Sequence, residues 1–261
     1  MAVTLDPVSA GFLGSLAAGC MTGLGAVPAL FGRTPSRRAS DAFLGFAAGV
    51  MLAASFFSLI VPALEASATL YGAGAIPGTI VSAGILAGMA AIAGLNAVIP
   101  HEHFLLGREG PARASLRRIW LFVIAITIHN VPEGLAVGVG FGTGDYANGI
   151  ALAIGIGLQN APEGLAVAVA LAGEGYPVRR AFWVALLTGL VEPLGGLAGA
   201  AAVAVSRVLL PWGLAFAAGA MIYVISHEII PETHRRGSHN EATLGLGIGL
   251  VAMLFLDVWL G

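Results

Sequence analysis

The residues best suited to chemistry fall in two matching stretches. Residues 129–137 read HNVPEGLAV and residues 159–167 read QNAPEGLAV, identical at seven of nine positions. Both lie inside long apolar runs, where a carboxylate, an amide and a proline are costly. On a helix, His129 stands four residues and Asn130 three residues before Glu133, which sets the carboxylate between them on one face. Such a carboxylate can bridge two sets of ligands. Gln159, Asn160 and Glu163 repeat the arrangement. Pro132 and Pro162 cannot donate a backbone bond, so the carbonyls of Ile128 and Leu158 are freed and each helix is expected to loosen there. Gly134 and Gly164 admit a neighbouring helix closely.

Further polar groups also stand beside prolines: Glu192 before Pro193, then His227 and Glu228, then Glu232 after Pro231. Glu133, Glu163, Glu192, Glu228 and Glu232 place five acids within or near the ends of apolar segments. An uncompensated charge at the centre of a bilayer costs roughly 2.5 to 3.5 kcal/mol. Ion pairing between helices is the ordinary remedy, but the chain has no lysine and every arginine falls in a connection or at a segment end. The acids must be protonated, face water, or share a cation that is not part of the chain. Protonation accounts for an isolated acid, not for a histidine, amides and several carboxylates converging at matched spacing. A cation site follows.

Imidazole, carboxylate and amide oxygens suit a divalent ion of zinc, cadmium, iron or manganese character, whereas copper(I) prefers sulfur. Structural zinc sites favour Cys and His in a closed tetrahedron, and this oxygen-rich set is looser, as a carrier that releases its ion requires. Sodium stays open, although an imidazole is an unusual donor for it. No organic cofactor is expected. His227-Glu228 opens like the HExxH of intramembrane zinc proteases, but position 231 is proline, so the second histidine is missing. A passive cation channel is the other alternative.

The elements that must position these residues are membrane helices. The chain is 57% hydrophobic and 10% charged, with a mean hydropathy of +0.90. Eight segments are long enough to cross about 30 Å of hydrocarbon, near 9–31, 42–64, 76–99, 119–142, 148–172, 181–205, 211–233 and 243–260. The expectation is an all-α integral membrane protein forming one polytopic domain. Eleven of the twelve basic residues, all arginine, follow spans one, three, five and seven, and only Arg207 lies opposite. The positive-inside rule then places both termini outside the cytoplasm. The basic residues form no stripe that could follow a nucleic-acid backbone, so nucleic acid is excluded as a partner. The single cysteine, Cys20, precludes an internal disulfide and reads as helix packing.

A second similarity joins residues 46–51, FAAGVM, to residues 216–221, FAAGAM. Spans two and seven run in opposite directions, as do four and five. Both similarities fit an inverted repeat, spans one to three related to six to eight and four related to five, an architecture of secondary transporters with midplane sites. Met51 and Met221 correspond in it and are pathway candidates, although methionine more often fills a core. Ser58, at the repeat offset from Glu228, is another. His101 and His103 flank Glu102 in the connection after span three and read as a weak exit or sensing site, with His234 and His239 behind them. Glu65, Asp145 and Glu174 are explained by solvation, with Glu65 alone placed to draw cations toward an entrance.

HNVPEG, QNAPEG, Glu192 and HEIIPE together resemble the ZIP (Zrt/Irt-like) divalent-metal transporters, in particular their bacterial GufA-type branch, over essentially the whole chain. The resemblance implies a two-metal site, with His129, Glu133, Gln159, Glu163 and Glu192 around one ion and Asn130, Glu133, Asn160 and Glu163 around the other. It also implies zinc or a related cation as the transported substrate, movement toward the cytoplasm across a bacterial inner membrane, and a homodimer. Spans one, four, five and six are expected to move against the rest like an elevator. Gln159 and Asn160 stand where many members carry a His-Glu pair, which lowers the negative charge of this site.

Overall fold

The computed structural model describes residues 5–32, 35–99, 101–103, 107–109, 118–142, 144, 146–231 and 238–260. Eight helices long and apolar enough to cross a membrane account for most of them: α1 (Pro7–Leu30), α2 (Arg38–Tyr71), α3 (Ala75–Val98), α4 (Ile119–Gly142), α5 (Tyr146–Gly173), α6 (Val178–Val205), α7 (Leu209–Ile229) and α8 (His239–Leu260). The eight expected spans are all present, and α2 runs about two turns beyond its expected end. One departure from an all-helical fold is a short hairpin, β1 (His101–His103) antiparallel to β2 (Gly107–Glu109).

Local chemistry sets the helix ends. Asp6 caps α1, its Oδ1 accepting from the amides of Val8 and Ser9 at 3.0 Å each, with Pro7 preorganised behind it. Hydrogen bonds from Ser9 hold the Asp6 carboxyl below its usual range. The helices continue through Pro132 and Pro162 without a break. The break falls in α6 instead, where Leu190 and Val191 leave the helix and Glu192 opens its second half ahead of Pro193. A wider π turn interrupts α2 at Ala54–Ile60 and α7 at Ile225–Ile229. These turns begin eight residues after Phe46 and nine after Phe216, nearly the same place in the two similar segments.

Close packing of glycine against backbone ties α1, α4, α5 and α6 into one set, and in the remaining set pairs α2 with α8 and α3 with α7. A Cβ at Gly134 of α4 would fall on the carbonyl of Glu192 in α6, and one at Gly164 of α5 on the carbonyl of Thr22 in α1. Gly19 of α1 and Gly189 of α6 meet the same way. In the other set, Gly49 of α2 lies against the Leu246 carbonyl of α8, and Gly219 of α7 against the Ile85 carbonyl of α3. Between the sets the glycines meet only side chains: Gly155 of α5 faces Met253 and Val50, and Gly213 of α7 faces Val139. Met51 and Met221 are fully buried in the apolar core among residues such as Val50, Leu214 and Val224. α3 and α8 are the most exposed spans, and Leu244, Val251 and Phe255 of α8 point outward as lipid-facing residues would.

Candidate metal centre

His129, Asn130, Glu133, Gln159, Asn160, Glu163 and Glu192 are all buried, on the facing sides of α4, α5 and α6. The amides of α5 each hold a carboxylate from a different helix. Gln159 Nε2 donates to Glu133 Oε1 at 2.6 Å, tying α5 to α4. Asn160 Nδ2 donates to Glu192 Oε1 at 2.7 Å and to the carbonyl of Ala18 at 3.0 Å, tying α5 to α6 and α1. Both bonds are short.

Other polar atoms here meet no protein partner. Glu133 Oε2, Gln159 Oε1, Asn160 Oδ1, Glu192 Oε2, both oxygens of Glu163 and both amide atoms of Asn130 are buried and without a hydrogen bond. Each such atom costs about 1 to 3 kcal/mol, more where it carries charge. Among the described residues, no arginine pairs with Glu133, Glu163 or Glu192. The buried surplus is nearly all acceptor oxygen, which a cation would satisfy.

His129 turns elsewhere. Its Nε2 meets Glu228 Oε2 on α7, and Asn96 Nδ2 on α3 donates to Glu228 Oε1 at 3.1 Å. His129, Glu163 and Glu228 line one cavity of about 290 Å³ together with Pro35, Ser40, Phe122 and Ala170. Those last four lie toward the Arg-bearing ends of α2, α4 and α5, so the cavity extends from the polar centre to that side. At the opposite end, Tyr146 donates its hydroxyl to the Leu5 carbonyl, and its ring meets Phe141 edge-on at 6.1 Å. In this arrangement the imidazole is engaged by Glu228 while it shares the cavity with Glu163. Among the described residues no three His, Cys, Asp or Glu side chains converge closely enough to hold an ion as they stand.

The remaining sequence candidates fare differently. The Ser58 hydroxyl donates to Asp257 Oδ1 on α8 at 2.6 Å. His227 packs its ring against Tyr223 at 4.9 Å. The side chains of His101 and His103, and Glu232 and His234 entirely, lie outside the described residues. Sequence reasoning missed Asn96 and Asp41, both buried, the latter with neither carboxylate oxygen partnered. A lone polar side chain within an apolar span was the available signal for Asn96; Asp41 stands just ahead of its span, in a polar stretch that reads as solvated.

This geometry can be set beside known proteins. A family model described as ZIP Zinc transporter matches residues 101–257. Zinc transporter ZIPB of Bordetella bronchiseptica is 48% identical over 249 residues, covering 95% of this chain and 81% of the relative. The chain belongs to the ZIP family. Zinc transporter GufA of Myxococcus xanthus is also 48% identical, over 254 residues that cover 97% of this chain and 100% of the relative, which places this ZIP protein with the GufA type. Human Zinc transporter ZIP11 is 37% identical over 322 residues, covering 92% of this chain and 94% of its own. As a ZIP member the chain is a multi-pass membrane protein whose role is divalent-metal transport rather than catalysis.

Proposed function

We propose that the chain carries zinc, and with it cadmium, iron or manganese, toward the cytoplasm across a bacterial inner membrane. The observation that supports this most is the group of buried, partnerless oxygens on Glu133, Gln159, Glu163 and Glu192, with an imidazole one helix turn away at His129. Borderline cations accept that mixture of nitrogen and oxygen. The set is exchangeable because each ligand already has somewhere else to turn: Glu133 to Gln159, Glu192 to Asn160, His129 to Glu228.

The movement fits an elevator. The proposed ligands all belong to the α1, α4, α5, α6 set, which is locked internally by glycine-to-carbonyl contacts, whereas the glycines that face across the sets, Gly155 and Gly213, meet side chains. The cavity on the Arg-bearing side corresponds to the face from which the ion leaves. A homodimer would anchor the second set. A second ion, which family resemblance assigns to Asn130, Glu133, Asn160 and Glu163, fits Asn130 well, since both its amide atoms are unpartnered. Asn160 is engaged differently.

Uptake of zinc into proteoliposomes tests the reading. Glu133→Ala and Glu163→Ala should each abolish it; transport equal to the parent's would refute the site. Saturable uptake with low turnover is the carrier's signature, and single-channel currents would establish a channel instead.

A further inference from the structure

The cavity at His129, Glu163 and Glu228 lies on the boundary between the two helix sets. One wall comes from α4 and α5, the other from the start of α2 and the end of α7. On α4 the spacing of Phe122, Ile126 and His129 brings all three to one face, and on α5 Glu163, Ala166 and Ala170 share another. The chemistry of the lining is divided. One end holds an imidazole and two carboxylates, whereas the rest of the described lining, apart from Ser40, is apolar, chiefly Phe43, Leu44, Phe122, Ile126, Leu165 and Val169. A metal ion gains nothing from such a wall, because apolar carbon offers it no lone pair. Glu163, only 3% exposed, meets the same cavity with two oxygens that accept no hydrogen bond. The cavity holds about 290 Å³. That is close to the lower end of small-ligand sites, about 300 Å³, which pair mostly apolar walls with a few placed polar groups.

We propose that this cavity binds amphipathic organic cations, a primary ammonium carried on an apolar body, and that such a ligand blocks transport. The ammonium brings three donors and a positive charge to Glu163, a pairing that offsets the cost of burying it. The body covers the apolar wall and supplies the hydrophobic part of the affinity. With Phe43 and Leu44 of α2 on one side and Phe122 and Leu165 of α4 and α5 on the other, it touches both helix sets at once and wedges them. The seat for the amine follows from the cavity alone. Its competition with zinc and its block of uptake rest on Glu163 being a ligand and on the sets moving, as proposed above.

Direct binding of tritiated 4-phenylbutylammonium to the full chain in phosphatidylcholine nanodiscs tests this, with empty discs as background and zinc chloride as competitor. Zwitterionic lipid removes the attraction of amines to an anionic bilayer. The expected result is saturable binding that zinc displaces competitively, with n-butylammonium and 4-phenylbutanol each at least about 10-fold weaker, since one lacks the body and the other the charge. Zinc uptake into proteoliposomes should be inhibited in the same rank order. Phe122→Ala should raise the amine Kd about 10-fold and leave zinc Kd within about twofold. Val169→Ala, a smaller deletion expected to raise the amine Kd about threefold, makes the same comparison should Phe122→Ala fail to fold. Absence of saturable binding, an alcohol or n-butylammonium as potent as the amine, or an amine Kd unmoved by both wall variants would each overturn the site and leave the transport reading standing. Saturable amine binding to a chain that binds no zinc would overturn the transport reading and the predicted block with it.

Discussion

His129 of α4 and Glu228 of α7 join side chain to side chain across the boundary between the two helix sets, Nε2 against Oε2, with Asn96 of α3 donating to the same carboxylate at 3.1 Å. At the proposed site, zinc would compete with Glu228 for that imidazole. Glu228→Ala therefore removes a competitor, and zinc Kd should fall by about tenfold, the equivalent of a charge-assisted hydrogen bond near 1.5 kcal/mol. Equilibrium zinc binding checks it, and an unchanged Kd would mean that the contact does not compete.

Glu163 carries two buried oxygens without partners. A glutamine in its place is cheaper to bury, because it brings no charge into the interior. Glu163→Gln should raise Tm by a few degrees while zinc uptake falls by roughly 100-fold, the size expected when a buried charge interaction of about 3 kcal/mol is lost. Thermal unfolding and proteoliposome uptake measured together would reveal this opposition between stability and activity.

Gly134 and Gly164 stand where a Cβ would meet the carbonyls of Glu192 and Thr22, while Gly94 of α3 faces open space. Gly134→Ala and Gly164→Ala should each cost about 1 to 3 kcal/mol through overpacking. Gly94→Ala should be neutral, or stabilising by up to about 1 kcal/mol. The difference is readable as Tm, and equal effects at all three positions would remove the packing argument.

The cavity that reaches His129 extends to the Arg-bearing side along Ala166 and Ala170. In a Cys20→Ser background, which removes the native thiol, Ala170→Cys should react with a membrane-impermeant maleimide in inside-out vesicles and not in intact cells. Fully buried Ala136→Cys should react in neither. Labelling from outside would reverse the orientation inferred from the arginines.

Much of this was already written in the sequence. The eight spans follow from apolar length, because a helix is the simplest segment able to satisfy its own backbone in hydrocarbon. The matched HNVPEGLAV and QNAPEGLAV stretches placed the acids, amides and close-packing glycines on the right helices, since spacing along one helix fixes the face. What α2 does beyond its expected end was less legible, as residues 65–71 are not apolar enough to read as membrane helix. Which proline would accompany a break was not legible: α4 and α5 run on through Pro132 and Pro162, whereas α6 breaks at Leu190 and Val191, just ahead of Pro193.

The sequence by itself determined which side chains would be buried at a cost, because composition and spacing along each helix are local properties. Only the tertiary structure decided their partners: Gln159 with Glu133, Asn160 with Glu192 and Ala18, His129 with Glu228 and, through it, Asn96. Those pairings depend on the rotation and depth of one helix against another. Glycine contacts such as Gly134 on the Glu192 carbonyl and Gly164 on the Thr22 carbonyl set that rotation and depth, and a linear pattern does not encode them.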